Sequence, residues 1–197
     1  MAITLNGNGT ITGISVGGLP DGSVDADTLA SGTIGIKVAD LWRLNTGYSI
    51  PNNSEETIAT TNWERPDTAN DGFGQLGTGM SVNSSDHAAG IWTFPSTGFY
   101  LVSFGSIVYN GATDATEVYV DMQFTEDGST FTTHSRAFGG GERFNYNGFF
   151  GQALVDVTNT SNVKMRLRVY SSVGSSTLQG STSANRTYLS FIKLGDT

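Results

Sequence analysis

Apolar and polar side chains alternate along several short runs of the chain. In the run 117–124, Val118, Val120, Met122 and Phe124 fall on one side, and Glu117, Tyr119, Asp121 and Gln123 on the other. In the run 163–170, Val163, Met165, Leu167 and Val169 oppose Lys164, Arg166 and Arg168. A period of two is that of a strand with one face on a core and one face wet. The runs IKVADLWRLN, STFTTHSRAF, GFFGQALVDVT and RTYLSFIKLG read as further strands. Asp127-Gly128 and the segment 158–162 supply turns between neighbours. No 3.6-residue pattern extends beyond about two turns, so the pattern predicts an all-β sandwich of jelly-roll type.

Two runs break the rule of one wet face. In GFYLVSFGSIVYN, Tyr100, Val102, Phe104 and Val108 oppose Phe99, Leu101, Ile107 and Tyr109, and both sets are apolar. In TYLSFIKL, Tyr188, Ile192 and Leu194 oppose Leu189 and Phe191. A strand of this kind needs a cover on each side. Other subunits are the simplest second cover, and long loops folded over the sheet are the alternative. Periodicity does not assign which face meets the cover.

The first part of the chain has a different texture. ITLNGNGTITGISVGGLPDGS alternates short β-branched runs with Asn-Gly and Gly-Gly breaks. Pro20-Asp21-Gly22 reads as a turn, and Ser23 or Asp25 as the cap of a helix of about two turns ending at Gly32. So few large apolar residues cannot support an independent fold. Residues 1–35 are therefore expected to be a linker or an attachment arm that orders on a partner, and 36–197 the knob domain.

Composition sharpens the class. Of 197 residues, 26 are glycine and 14% are charged, the profile of a turn-rich β protein. With no cysteine, disulfides, thiol catalysis and thiolate metal sites are excluded. A net charge of −8 argues against nucleic acid as the partner. No run approaches a membrane span, and MAITLNGNGT lacks the basic and apolar regions of a secretory signal. Acids crowd the first two thirds of the chain and bases the last third, which points to ion pairs between strands or subunits.

Candidate chemistry is sparse. Asp86-His87 lies in a loop with no third ligand spaced to join it, and His134 reads as a strand-face residue. The acid-rich stretch 67–72 lacks both the spacing and the distal glutamate of a calcium loop, although a loop ion there stays open. GGGERFNYNG is glycine-rich without the lysine of a phosphate loop. Its Phe144 and Tyr146 could stack on a surface ligand such as a sugar, or pack within an interface. Lys164, Arg166 and Arg168 suit cross-strand pairing with Glu117 or Asp121, with anionic polysaccharide as the alternative. No catalytic residue, metal or cofactor is expected.

Gly98-Phe99-Tyr100-Leu101-Val102-Ser103-Phe104 resembles the glycine-aromatic signature of the C1q/tumour-necrosis-factor-like jelly roll, and follows Trp92-Thr93-Phe94-Pro95 as in that family. Thr187–Leu194 is similar to the family's last strand. The resemblance covers residues 36 to 197 and implies a homotrimer. Phe99, Tyr100, Leu101, Val102, Phe104, Ile107, Tyr188, Phe191 and Ile192 would then form its core and threefold interface. GLPDGSVDADTLASG and FIKLGDT resemble segments of bacteriophage virion proteins, cyanophage fibres in particular. That likeness implies a non-enzymatic virion protein, assembled in the host cytoplasm and released by lysis. Residues 1–35 would contact other virion proteins, and the knob would serve host attachment as a tail fibre. Capsid decoration is one alternative, and a carbohydrate-binding or carbohydrate-cleaving sandwich the other.

Overall fold

The computed structural model describes residues 4–5, 11–12, 35–66, 74–82 and 89–197. Its strands, in chain order, are β1 (Thr4–Leu5), β2 (Ile11–Thr12), β3 (Ala39–Leu44), β4 (Tyr48–Ser49), β5 (Ser54–Thr57), β6 (Trp63–Glu64), β7 (Gln75–Leu76), β8 (Trp92–Thr93), β9 (Gly98–Asn110), β10 (Ala115–Thr125), β11 (Thr132–Gly141), β12 (Asn145–Val157), β13 (Lys164–Ser171), β14 (Ser176–Leu178) and β15 (Tyr188–Gly195). The one helical turn among the described residues is 3₁₀, Thr60–Asn62. Chain contacts divide the molecule into Met1–Gly35 and Ile36–Thr197. In the first unit β1 and β2 pair antiparallel, Thr4 opposite Thr12. The expected turn at Pro20 and the helix ending at Gly32 lie outside the described residues.

The second unit is two antiparallel sheets face to face. One runs β11-β10-β13-β8; the other runs β4-β14-β9-β15-β3-β6, with β12 on the free edge of β9 and β7 beside β3. We call these the outer and inner sheets. The apolar stretch 90–110 holds two strands, β8 and β9, one in each sheet. Trp92 and Thr93 pair with Met165 and Lys164 in the outer sheet, whereas Gly98–Asn110 is the spine of the inner sheet. Phe94–Thr97 carries the chain across, its Pro95 placed where no ladder donor is needed.

The core between the sheets is built from one parity of each strand. Tyr100, Val102, Phe104 and Val108 of β9 meet Val118, Val120, Met122 and Phe124 of β10, and Met165, Leu167 and Val169 of β13, all buried. Trp92 lies at one end, 4.9 Å from Trp42 and 5.9 Å from Trp63, both edge-on. Tyr100 enters the same cluster beside Phe94 and donates its hydroxyl hydrogen to the Ser96 carbonyl at 3.1 Å. The turn at Asp127-Gly128 forms as expected: Gly128 takes φ +79°, and the Asp127 carboxylate accepts the N–H groups of Ser129 and Thr130. Those bonds hold its pKa well below the usual carboxylate range.

One expectation is overturned. The polar side of β10 is not wet: Tyr119, Asp121 and Gln123 are buried beside Val118, Val120 and Met122. The segment around β5 lies along β13, held by Ile58 N–H to Leu167 O (3.0 Å) and Asn53 N–H to Ser171 O (2.9 Å), and brings Glu55 over this face. Alternation reports which residues share a side; it does not report that a distant segment covers the polar one.

Candidate functional site

The outward face of the inner sheet carries a run of exposed apolar side chains. Register fixes its rows. Leu154 of β12, Leu101 of β9 and Ile192 of β15 stand side by side. One pleat along, Gln152, Ser103 and Ser190 form a polar row, and beyond it Phe150, Gly105 and Tyr188 form another apolar one. Tyr146 opposite Tyr109 closes the far end, the rings 4.9 Å apart. Leu154 is 65% exposed, Phe150 59% and Tyr146 60%. Beside β15 a pocket of about 210 Å³ lies among Leu41, Gly74, Gln75, Leu76, Ser190 and Ile192.

The residues named from the sequence separate by parity. Phe99, Leu101, Ile107, Tyr188 and Ile192 belong to the outward face, while Tyr100, Val102, Phe104 and Phe191 are buried in the sandwich. The second group therefore serves the core and is closed to any partner. Tyr146 is a strand residue of this same face, since β12 begins at Asn145. Only Glu142, Arg143 and Phe144 form the tip between β11 and β12. Phe144 adopts φ +59° there and donates its N–H to the carbonyls of Asn110 and Gly111. Phe150 and Leu154 are the residues that sequence reading passed over. Their parity opposes Phe149 and Val155, and that opposition was the available signal.

Gly105 has a steric duty in this face. A Cβ there would lie 2.4 Å from Cε1 of Tyr188, whose ring lies over the glycine. Gly105→Ala is expected to cost about 1–3 kcal/mol through overpacking. Combination with Tyr188→Ala should relieve most of that, giving a sub-additive double-mutant cycle by urea denaturation.

The other candidates resolve differently. Arg168 stands directly opposite Asp121 in the β10–β13 register and bonds it at 2.9 Å, and Arg166 bonds Gln123 at 2.8 Å. Cross-strand pairing accounts for both bases. Acids of the early chain and bases of the late chain do meet, as in Arg136–Asp121 (2.6 Å) and Arg168–Glu55. Tyr119 donates to Glu55; burial, then that hydrogen bond and the Glu55 charge push its phenol up to about 12. His134 is exposed, its ring edge-on to Phe124 at 5.2 Å, and its Nε2 is 3.2 Å from Thr132 Oγ1. Asp86-His87 and the acidic stretch 67–72 lie outside the described residues. Among the described residues no three acids or histidines are grouped to hold a metal, and no helix is long and apolar enough to cross a membrane.

No protein-family model matches the chain, and no curated protein sequence matches it. Solved structures do. Murine APRIL at pH 8.5 aligns over 80% of this chain and 98% of its own, with TM-score 0.53 and 15% identity. The Eiger TNF of S. frugiperda aligns over 83% of this chain and 96% of its own, with TM-score 0.56 and 15% identity. The chain thus has the C1q/TNF-like jelly-roll fold, as its β9 signature implied. Identity this low speaks for the fold alone.

Proposed function

We propose that this chain is the homotrimeric, non-enzymatic knob of a bacteriophage virion protein, carried on residues 1–35 and serving host-surface attachment as a tail fibre. The observation that carries the reading is the outward face of the inner sheet. The other face of the same strands already fills the sandwich, so Phe99, Leu101, Ile107, Phe150 and Leu154 add nothing to the monomer's core. Contiguous apolar surface on a folded chain marks an interface. A closed ring of three copies, each offering this face to the axis, covers it without leaving an open edge. Three knobs per fibre, and many fibres per particle, give adhesion through multivalency with modest single contacts. The virion assignment draws on the likeness of GLPDGSVDADTLASG and FIKLGDT to phage virion segments.

Light scattering of the purified protein should give about three times the chain mass of 20.8 kDa, stable on dilution. Immunogold imaging of particles should place it on the tail. Label on the shell would replace the fibre with capsid decoration, and a monomer absent from particles would sink the whole reading.

A further inference from the structure

We propose that Arg186 receives Glu142 of a neighbouring copy, an ion pair that sets how the copies are turned against one another. The inference rests on the homotrimeric reading above and names the charged contact in its interface. A pocket of about 230 Å³ opens over the last turn-ward residues of β9, lined by Ile107, Tyr146, Gln179 and Arg186. Gln179 is tied there by its N–H on the Ile107 carbonyl (2.8 Å), and Tyr109 stands 4.9 Å from Tyr146, ring to ring.

Arg43, Arg65, Arg136, Arg168 and Lys193 each hold a carboxylate within the chain. The Arg186 side chain is exposed and has neither an ion pair nor a hydrogen bond among the described residues. It stands at the edge of the apolar face that the trimer would close, where a cation stripped of water needs a carboxylate. Arg186 and the Tyr146 hydroxyl supply donors to the pocket, and a carboxylate accepts from both.

The opposite flank carries the complement. β12 pairs with β9 alone and forms the other margin of the face. Glu142 stands in the tip that leads into β12, exposed and likewise without a partner among the described residues. Asp114, whose carboxylate accepts the Arg143 N–H at 2.7 Å, makes that tip two acids to one base. Register sets both flanks at the same level, since Tyr109 lies between Tyr146 of β12 and Thr177 of β14. The other exposed acid of the β12 flank, Asp156, pairs with Phe99 at the far end. The face is longer than it is wide: 13 residues of β9 span about 40 Å, whereas β12, β9 and β15 together span about 15 Å. Its apolar rows succeed one another along the strands, so only an axis running along the strands reaches all of them. Rotation about such an axis keeps every residue at its level and brings one flank of a copy to the other flank of the next. Glu142 then meets Arg186. An axis across the strands would bring opposite ends together and present Asp156 instead.

Light scattering of the full chain across a dilution series tests this by charge reversal. Arg186→Glu and Glu142→Arg should each raise the concentration at which the trimer half-dissociates by about tenfold or more, because like charges then face each other at every contact of the ring. Both reversals in one chain re-form the pair with its signs exchanged and should return that concentration to within about threefold of wild type. Arg186→Glu combined with Asp156→Arg should give no such return. Both side chains are exposed, so circular dichroism of the dissociated variants should keep the wild-type β spectrum, which separates loss of the contact from loss of the fold. Single reversals without effect, a double reversal no better than the singles, or rescue by Asp156→Arg would each overturn the pairing. A wild-type trimer indifferent to these reversals sinks the pairing alone, whereas a wild-type monomer sinks the trimer and the pairing with it.

Discussion

Leu154→Glu should convert a particle of about three chain masses into a monomer of 20.8 kDa without unfolding it. The side chain is 65% exposed in the single chain, so the substitution takes no contact from the core. Exposed changes of this kind move monomer stability by about 0.5 kcal/mol or less. In the proposed trimer the same position, in the row Leu154–Leu101–Ile192, would be closed off by a neighbour. Each copy then loses about 1.5–3 kcal/mol of apolar burial, and a carboxylate stripped of water without a partner adds several more. The proposed threefold symmetry would apply the loss three times in one assembly. Leu154→Ala, which removes area without charge, should weaken association less and show a concentration-dependent mass. Light scattering gives the mass and urea denaturation the integrity of the monomer. A trimer that survives Leu154→Glu at low concentration would move the interface off this face.

The chain states this face only in part. The β9 run displayed two apolar parities, and from that the need for a second cover followed directly. Its assignment needed the partner sheet: Val118, Val120 and Met122 had to be seen opposite Tyr100 and Val102 before the odd residues of β9 could be placed outside. On β12 the signal was weaker, because Gly148, Gly151 and Gln152 interrupt the apolar sides. The short strands β4 to β7 escaped notice because two to four residues cannot establish a period. They exist through tertiary ties, as where Arg65 bonds Asp40 at 2.7 Å and lies 4.1 Å over the Trp42 ring.

Removal of the Asp121 carboxylate should be the most damaging single polar change in the second unit. This side chain is 0% exposed, and Arg136 grips it in a fork, Nε to Oδ1 at 2.6 Å and an Nη to Oδ2 at 2.7 Å. Arg168 and the Thr133 hydroxyl complete the set at 2.9 and 3.1 Å. Arg136 also lies 3.9 Å over the Tyr119 ring, which stacks on Tyr170 at 4.8 Å. Breaking a buried pair by deleting one partner costs about 3–5 kcal/mol. Here the Arg136 side chain is 40% exposed and its charge regains some water, so Asp121→Ala belongs near the lower figure. Burial alone would raise the Asp121 pKa, yet the hydrogen bonds from Arg136 and Arg168 outweigh it and leave the group below its ordinary value. A carboxyl depressed in the folded state contributes stability that is complete above its unfolded pKa of about 3.9 and is lost as pH falls through the folded value. Wild type and Asp121→Asn should therefore differ most near neutral pH and converge in acid below about pH 4, as read by urea midpoints across a pH series. A constant gap down to about pH 2 would mean that shape, and not charge, is what Asp121 supplies to the sheet.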